Sequence, residues 1–261
     1  MTTDTTDALL EVANVAKSFG GLQAVQNCSL QVRRGTITGL IGPNGAGKTT
    51  LFNCISGFYA PDAGSIVFQG QRIDGLPPHR VFHHGLCRTF QVPKELKLMT
   101  VLENLMLVPS GQTGERLGAA WLMPWRVRQQ EREAYDKALD VLEFVNLAHL
   151  RAEYAENLST GQKKLLELAR AMMTDPQLIM LDEPGAGVNP TLLRSLMQQI
   201  ERLVSERGIS VLLIEHNMAV VMGLCDPVIV MSNGEKLAEG TPAEIQRNEQ
   251  VLAAYLGGQN R

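Results

Sequence analysis

Apolar and polar positions change their rhythm three times along this chain. The first forty residues show short alternating or apolar runs. Leu9–Val15 and Ser29–Val32 read as strands around a turn at Phe19-Gly20-Gly21, and 36–41 as a buried strand. A helix is expected from about Lys48 to Ile55, with Gly57 as its stop. Pro61, Asp62 and Gly64 mark a turn before a strand at 65–69.

From about residue 93 to 173 helical spacing dominates. Thr100 followed by Glu103 forms a capping-box pair, and 126–147 reads as one long charged helix with Leu139, Leu142 and Val145 on a common face. The α/β pattern then returns. Strands are expected at 178–181, 210–214 and 228–231, and helices at 190–205 and 218–224. Asn233-Gly234 signals a hairpin, and Thr241-Pro242-Ala243-Glu244 a capped helix start. The predicted fold class is therefore α/β, in one domain over 8–257, with a helical subdomain at about 93–173 and a disordered tail at 1–7.

With 261 residues, 44% of them hydrophobic, the chain can bury one sizeable core. A formal net charge of −3 argues against a nucleic-acid surface. Cys28, Cys54, Cys87 and Cys225 form no CxxC pair, so they read as small buried hydrophobes of a reducing compartment. The opening MTTDTTDALL lacks the basic and apolar regions of a signal peptide, and polar residues break the apolar stretch at 209–231. Membrane contact is therefore expected only through a partner.

The chemistry starts at Gly42-Pro43-Asn44-Gly45-Ala46-Gly47-Lys48-Thr49-Thr50, which matches the phosphate-binding loop between a strand and a helix. Its glycines let backbone N–H groups converge on phosphate oxygens. Lys48 can reach the β- and γ-phosphates, and the Thr49 hydroxyl can ligate Mg²⁺. ATP and Mg²⁺ are thus the expected ligands. The apolar run 178–181 ends in Asp182, a second metal ligand, and Glu183, a candidate base for the attacking water. His216 follows a further apolar strand and can orient that water. Gln91 can touch the metal or the water.

Ser159 and Gln162 open another helix as a capping box around Thr160 and Gly161. This is either an ordinary helix start or a second anion site, which makes sense where it covers ATP held by another chain. Trp121 and Trp125 read as a partner-facing patch or, more readily, as a satellite core. His79, His83 and His84 lack further metal-ligating residues and read as surface histidines.

Taken in order, Phe19, the phosphate loop, Gln91, Leu158-Ser159-Thr160-Gly161-Gln162, the Asp182-Glu183 pair and His216 resemble the ATP-binding subunits of ABC transporters. The resemblance implies a P-loop NTPase core, an N-terminal antiparallel β subdomain and an inserted helical signature subdomain. It also implies two ATPase subunits that sandwich two ATP molecules. Phe19 then stacks on adenine, Gln91 senses the membrane partner, and Ser159, Gly161 and Gln162 grip the partner's γ-phosphate. Phe19 stands where Tyr is usual, Thr160 where Gly is usual and Asn189 where many members carry Asp.

Closer still, Phe19-Gly-Gly-Leu-Gln-Ala-Val, Gly187-Val-Asn-Pro190, Ile214-Glu-His-Asn-Met218 and Ala254-Tyr-Leu-Gly257 are similar to branched-chain amino-acid importer ATPases. That similarity implies a second ATPase subunit of different sequence, two transmembrane permeases and an extracytoplasmic solute-binding protein. A lipid or lipopolysaccharide extraction motor and a soluble ABC-type ATPase are the competing readings.

Overall fold

In the computed structural model, residues 8–89, 95–109 and 124–257 are described. The expected tail at 1–7, Gln91 and Trp121 lie outside them. The chain divides into two units, one formed by 1–91, 177–186 and 200–261, the other by 92–176 and 187–199.

The first unit contains two sheets. β1 (Ala8–Phe19) and β2 (Leu22–Arg33) form a hairpin closed by the Phe19–Leu22 pair. Both strands run further than the alternation suggests. A two-residue turn at Gly20-Gly21 lets pairing begin at once, while left-handed Asn14 and Asn27 shift register and blur the pattern. β4 (Ala63–Phe68) and the short β5 (Gln71–Arg72) complete this antiparallel sheet in the order β2-β1-β4-β5.

The second sheet has the order β10-β9-β3-β8-β7-β6. Its strands are β3 (Ile37–Ile41), β6 (Leu86–Arg88), β7 (Leu178–Asp182), β8 (Ser210–Ile214), β9 (Val228–Ser232) and β10 (Glu235–Gly240). All neighbours are parallel except β9 and β10, which form a hairpin through Asn233 and Gly234, both at positive φ. β3, β7 and β8 are buried at every position, which explains their unbroken apolar runs.

Helix α1 (Lys48–Ile55) sends Leu51, Phe52, Cys54 and Ile55 into a core shared with residues of both sheets, among them Leu10, Ile66, Leu40 and Met180. Each large side chain so buried contributes about 1.5–3 kcal/mol. The unit also holds α2 (Pro78–His83).

The second unit is helical. It contains α3 (Val101–Met106), α4 (Pro124–Phe144), α5 (Thr160–Met172) and short 3₁₀ turns at Ala148–Leu150 and Ala155–Asn157. α4 stops earlier than its periodicity suggests. Asn146 adopts a left-handed φ of 58°, and the Leu147 N–H turns back to the Leu142 carbonyl, a local cap that ends the helix. Trp125 on α4 is 63% exposed, which corrects the satellite-core reading for that residue.

Helix α6 (Pro190–Arg207) has residues in both units. α7 (Met218–Leu224), α8 (Pro242–Arg247) and α9 (Glu249–Gly257) belong to the first. No helix among the described residues is long and apolar enough to cross a membrane.

Candidate functional site

The carboxyl ends of parallel β3, β7 and β8 lie side by side, and each leads into one part of the site. From β3 the chain enters the glycine loop. A Cβ on Gly42 would lie 2.1 Å from the Met231 carbonyl oxygen, and one on Gly47 would lie 2.3 Å from that of Ala24. Both glycines also have positive φ, 151° and 95°, so no other residue type fits either position without strain.

The loop runs straight into α1, whose N-cap Gly47 offers no side-chain bond. α3, α5, α7 and α8, by contrast, are capped by Thr100, Ser159, Asn217 and Thr241. The first N–H groups of α1 thus remain available to an anion, with the helix dipole behind them.

Lys48 is 6% exposed, and its ammonium donates to the carbonyls of Gly42 at 2.8 Å and Pro43 at 3.0 Å. Burial lowers its pKa, and the nearby Glu183 and Asp182 charges work against that shift. A third ammonium proton remains for a ligand. An open cleft of about 310 Å³ covers this region. Residues 44–50, which include Asn44, Gly45, Gly47, Lys48, Thr49 and Thr50, line it, together with Leu22, Gln23, Ala24, Glu183 and His216.

Register explains why Glu183 and His216 meet. Asp182 pairs with Ile214 across β7 and β8, so both strands end level, with Glu183 one residue past the first and His216 two residues past the second. Glu183 adopts a left-handed φ of 50° while its N–H still reaches the Ile214 carbonyl at 2.9 Å. Such strain in a non-glycine residue needs support from its surroundings. His216 Nε2 lies 2.5 Å from the Glu183 carboxylate.

Asp182 is 7% exposed and paired with Arg88, whose Nη2 lies 2.9 Å from its Oδ2. Arg88 Nη1 also donates to Asn53 Oδ1 and Ser56 Oγ on or beside α1. The guanidinium sits 5.6 Å from the Phe52 ring and 5.8 Å from that of Phe58.

Phe19, at the end of β1, is 43% exposed and does not line the cleft. Its ring meets Tyr59 edge-on at 5.2 Å, with the Lys17 ammonium 5.6 Å away. Asp62 fixes that corner by accepting from Lys17 Nζ and the Ser18 N–H, both at 2.7 Å.

Within the helical unit, Ser159 and Gln162 form the expected capping box. Gly161 is buried against Leu192, where a Cβ would meet Leu192 Cδ1 at 2.6 Å. Asn189 caps α6, accepting the N–H groups of Thr191 and Leu192. No group of three His, Cys, Asp or Glu among the described residues could hold a metal, which leaves His79, His83 and His84 outside any such cluster.

Two residues escaped the sequence reading. Arg88 is a lone cation beside an apolar strand, and its partner Asp182 lies 94 positions away. Glu215 directly precedes His216, and its 5% exposure gives it a different setting from that of the solvated acid its position suggests. Its Oε1 accepts the Gly185 N–H at 2.8 Å, and its Oε2 accepts those of His216 at 3.0 Å and Asn217 at 3.2 Å.

Comparison with known proteins bears on this arrangement. The family model described as ABC transporter matches residues 25–186, and that of the branched-chain amino acid ATP-binding cassette transporter matches 235–259. The chain is 45% identical to the probable branched-chain amino acid transport ATP-binding protein LivG of Archaeoglobus fulgidus, over 97% of this chain and 96% of that one. It is 44% identical to the high-affinity branched-chain amino acid transport ATP-binding protein BraF of Pseudomonas aeruginosa, over 95% and 98%. For LivG of Escherichia coli K12 the identity is 42%, over 95% and 98%.

Among solved structures, the ADP conformation of MJ1267, an ATP-binding cassette of an ABC transporter, superposes with a TM-score of 0.82 at 38% identity, covering 97% of this chain and all of that one. A nucleotide-free ATP-binding cassette from an ABC transporter gives 0.81 at 38%, covering 95% and 98%. The matched segments carry the phosphate loop, the paired carboxylates and the C-terminal segment, and the chain belongs to the ABC transporter family as one of its ATP-binding, ATP-hydrolysing members.

Proposed function

We propose that this chain drives uptake of branched-chain or other hydrophobic amino acids or amides, as one ATPase of a complex on the cytoplasmic face of a membrane. The observation that carries the reading is the near full-length identity of 42–45% to branched-chain amino acid transport ATP-binding proteins. Its partners in this reading are a second ATPase subunit, two permeases and an extracytoplasmic solute-binding protein.

In this reading Phe19 stacks on the base of ATP, and the loop N–H groups with Lys48 hold its phosphates. Glu183 takes the proton of the attacking water, and His216, already in contact with that carboxylate, orients the water and the γ-phosphate. Lys48 balances charge on the transferred phosphoryl group. Ser159, Gly161 and Gln162 contact the γ-phosphate held by the other ATPase subunit. Gln91 links the site to the permease side.

The residues present suit Mg²⁺. Thr49 and Asp182 supply the hard oxygen donors that such an ion takes alongside waters and phosphate oxygens. Thr49, Asp182 and Gln91 would hold it, and it would supply positive charge to offset that of the phosphates.

The test is mass spectrometry of what co-purifies with the tagged chain from mildly solubilised membranes. A second, different ATPase with two permeases is expected. A complex containing this ATPase alone, doubled, would instead support lipid extraction, and a sample without membrane proteins would overturn the transport reading.

A further inference from the structure

The residue before His216 is a carboxylate that the catalytic account above leaves idle. Glu215 is buried, and it spends both oxygens on backbone N–H groups from two different loops. Oε1 holds Gly185, two residues past Glu183. Oε2 holds His216 and Asn217. Asn217 in turn caps α7 through the N–H groups of Ala219 and Val220, so the His216 loop is anchored on both sides.

The Glu183 backbone sits at a strained φ of 50°, so the loop after β7 needs an external restraint. The His216 side chain is 44% exposed, so packing alone does not fix its ring. A single buried carboxylate bridging both loops answers both needs, and charge-assisted bonds to N–H groups are stronger than neutral ones.

We propose that Glu215 is a positioning residue. One carboxylate oxygen per loop locks the base-bearing loop and the His216 loop into one body, so that Glu183 and His216 keep their contact while nucleotide enters and leaves. The proposal rests on the roles given to Glu183 and His216 above. Glu215 touches neither water nor phosphate in it. It acts through the two residues that do.

An isosteric change separates this role from simple space filling. Glu215→Gln keeps size and shape but has one acceptor oxygen, so its amide N–H₂ must face backbone N–H donors of one loop. Turnover of Glu215→Gln should fall about tenfold or more, with KM for ATP within about twofold of the parent. In a His216→Ala background the same change should lower turnover by less than it does in the parent, because one of its two routes to the chemistry is already cut. Amide hydrogen exchange should accelerate at residues 185, 216 and 217 and stay unchanged within β7 and β8.

Glu215→Asp, which keeps both oxygens but retracts them by one methylene, should lose turnover in the same way. Full turnover in either variant overturns the proposal, as does a loss that multiplies independently with that of His216→Ala. If His216→Ala alone retains full turnover, the underlying role of His216 is wrong and the proposal fails with it. If His216→Ala is impaired while Glu215→Gln is not, the proposal fails and the role of His216 stands.

Discussion

Replacing Arg88 by Met should destabilise the nucleotide-free chain by about 3–4 kcal/mol. The Arg88–Asp182 pair is buried, with side chains 10% and 9% exposed. Removing one partner of such a pair typically costs about 3–5 kcal/mol, because the other charge stays buried alone. The positive charge of Lys48, close enough to feel Asp182, moderates that toward the lower end. Lost bonds to Asn53 and Ser56 add about 1 kcal/mol each. Ser56 keeps its bond to the Phe52 carbonyl, and Arg88 Nε, buried without a partner, makes the parent less stable than its bonds suggest.

Met preserves the stem that packs near Phe52 and Phe58, so the change isolates the guanidinium. Urea unfolding followed by circular dichroism should show a midpoint lower by about 1 M or more. Asp182→Asn should be destabilising by a similar mechanism, since it leaves Arg88 without its counter-charge. The double variant should lose less than the sum of the two, by about 2 kcal/mol. An Arg88→Met midpoint equal to the parent's, or strict additivity in the double variant, would refute the argument.

Other expectations follow from the same geometry. Gly42→Ala drives a Cβ into the Met231 carbonyl, and binding of a fluorescent nucleotide should weaken by at least about tenfold. In Ser159→Ala the lost cap bond is long, 3.4 Å, so the melting temperature should shift little while turnover of the assembled complex falls about tenfold; equal loss of both would reduce Ser159 to a helix cap. Burial pushes the thiol pKa of Cys28 and Cys54 to about 11 and that of Cys225 to about 12. At pH 8 these thiols should react with a disulfide reagent far more slowly in the native chain than in urea. Because the unfolded thiols lose their protons first, the urea midpoint should also fall as pH rises from about 9 toward 11.

What the sequence revealed and concealed divides by range. The phosphate loop is a contiguous run whose glycine positions are dictated by backbone clearance, so spacing alone exposes it. The capping boxes at Thr100, Ser159 and Thr241 each join residues three positions apart and formed as their spacing suggests. The apolar runs at 178–181 and 210–214 announced two strands, and the structure pairs them with a common ending that brings Glu183 and His216 together.

The rest depends on partners distant in sequence. Nothing near Arg88 says that Asp182 will neutralise it, and nothing near Glu215 says that Gly185 will bond to it from 30 residues away. Both polar residues stand at the ends of apolar strands, where a solvated reading is the ordinary one. Strand length was obscured for another reason. Bulges around Asn14 and Asn27 break the two-residue alternation on which that reading relies.

The most direct test of the account is ATP binding and turnover by Glu183→Gln in the assembled complex. The variant should bind ATP as tightly as the parent, turn over at least about a hundredfold more slowly and accumulate with ATP trapped between paired ATPase subunits. Undiminished turnover would remove Glu183 as the base and contradict the site as built here.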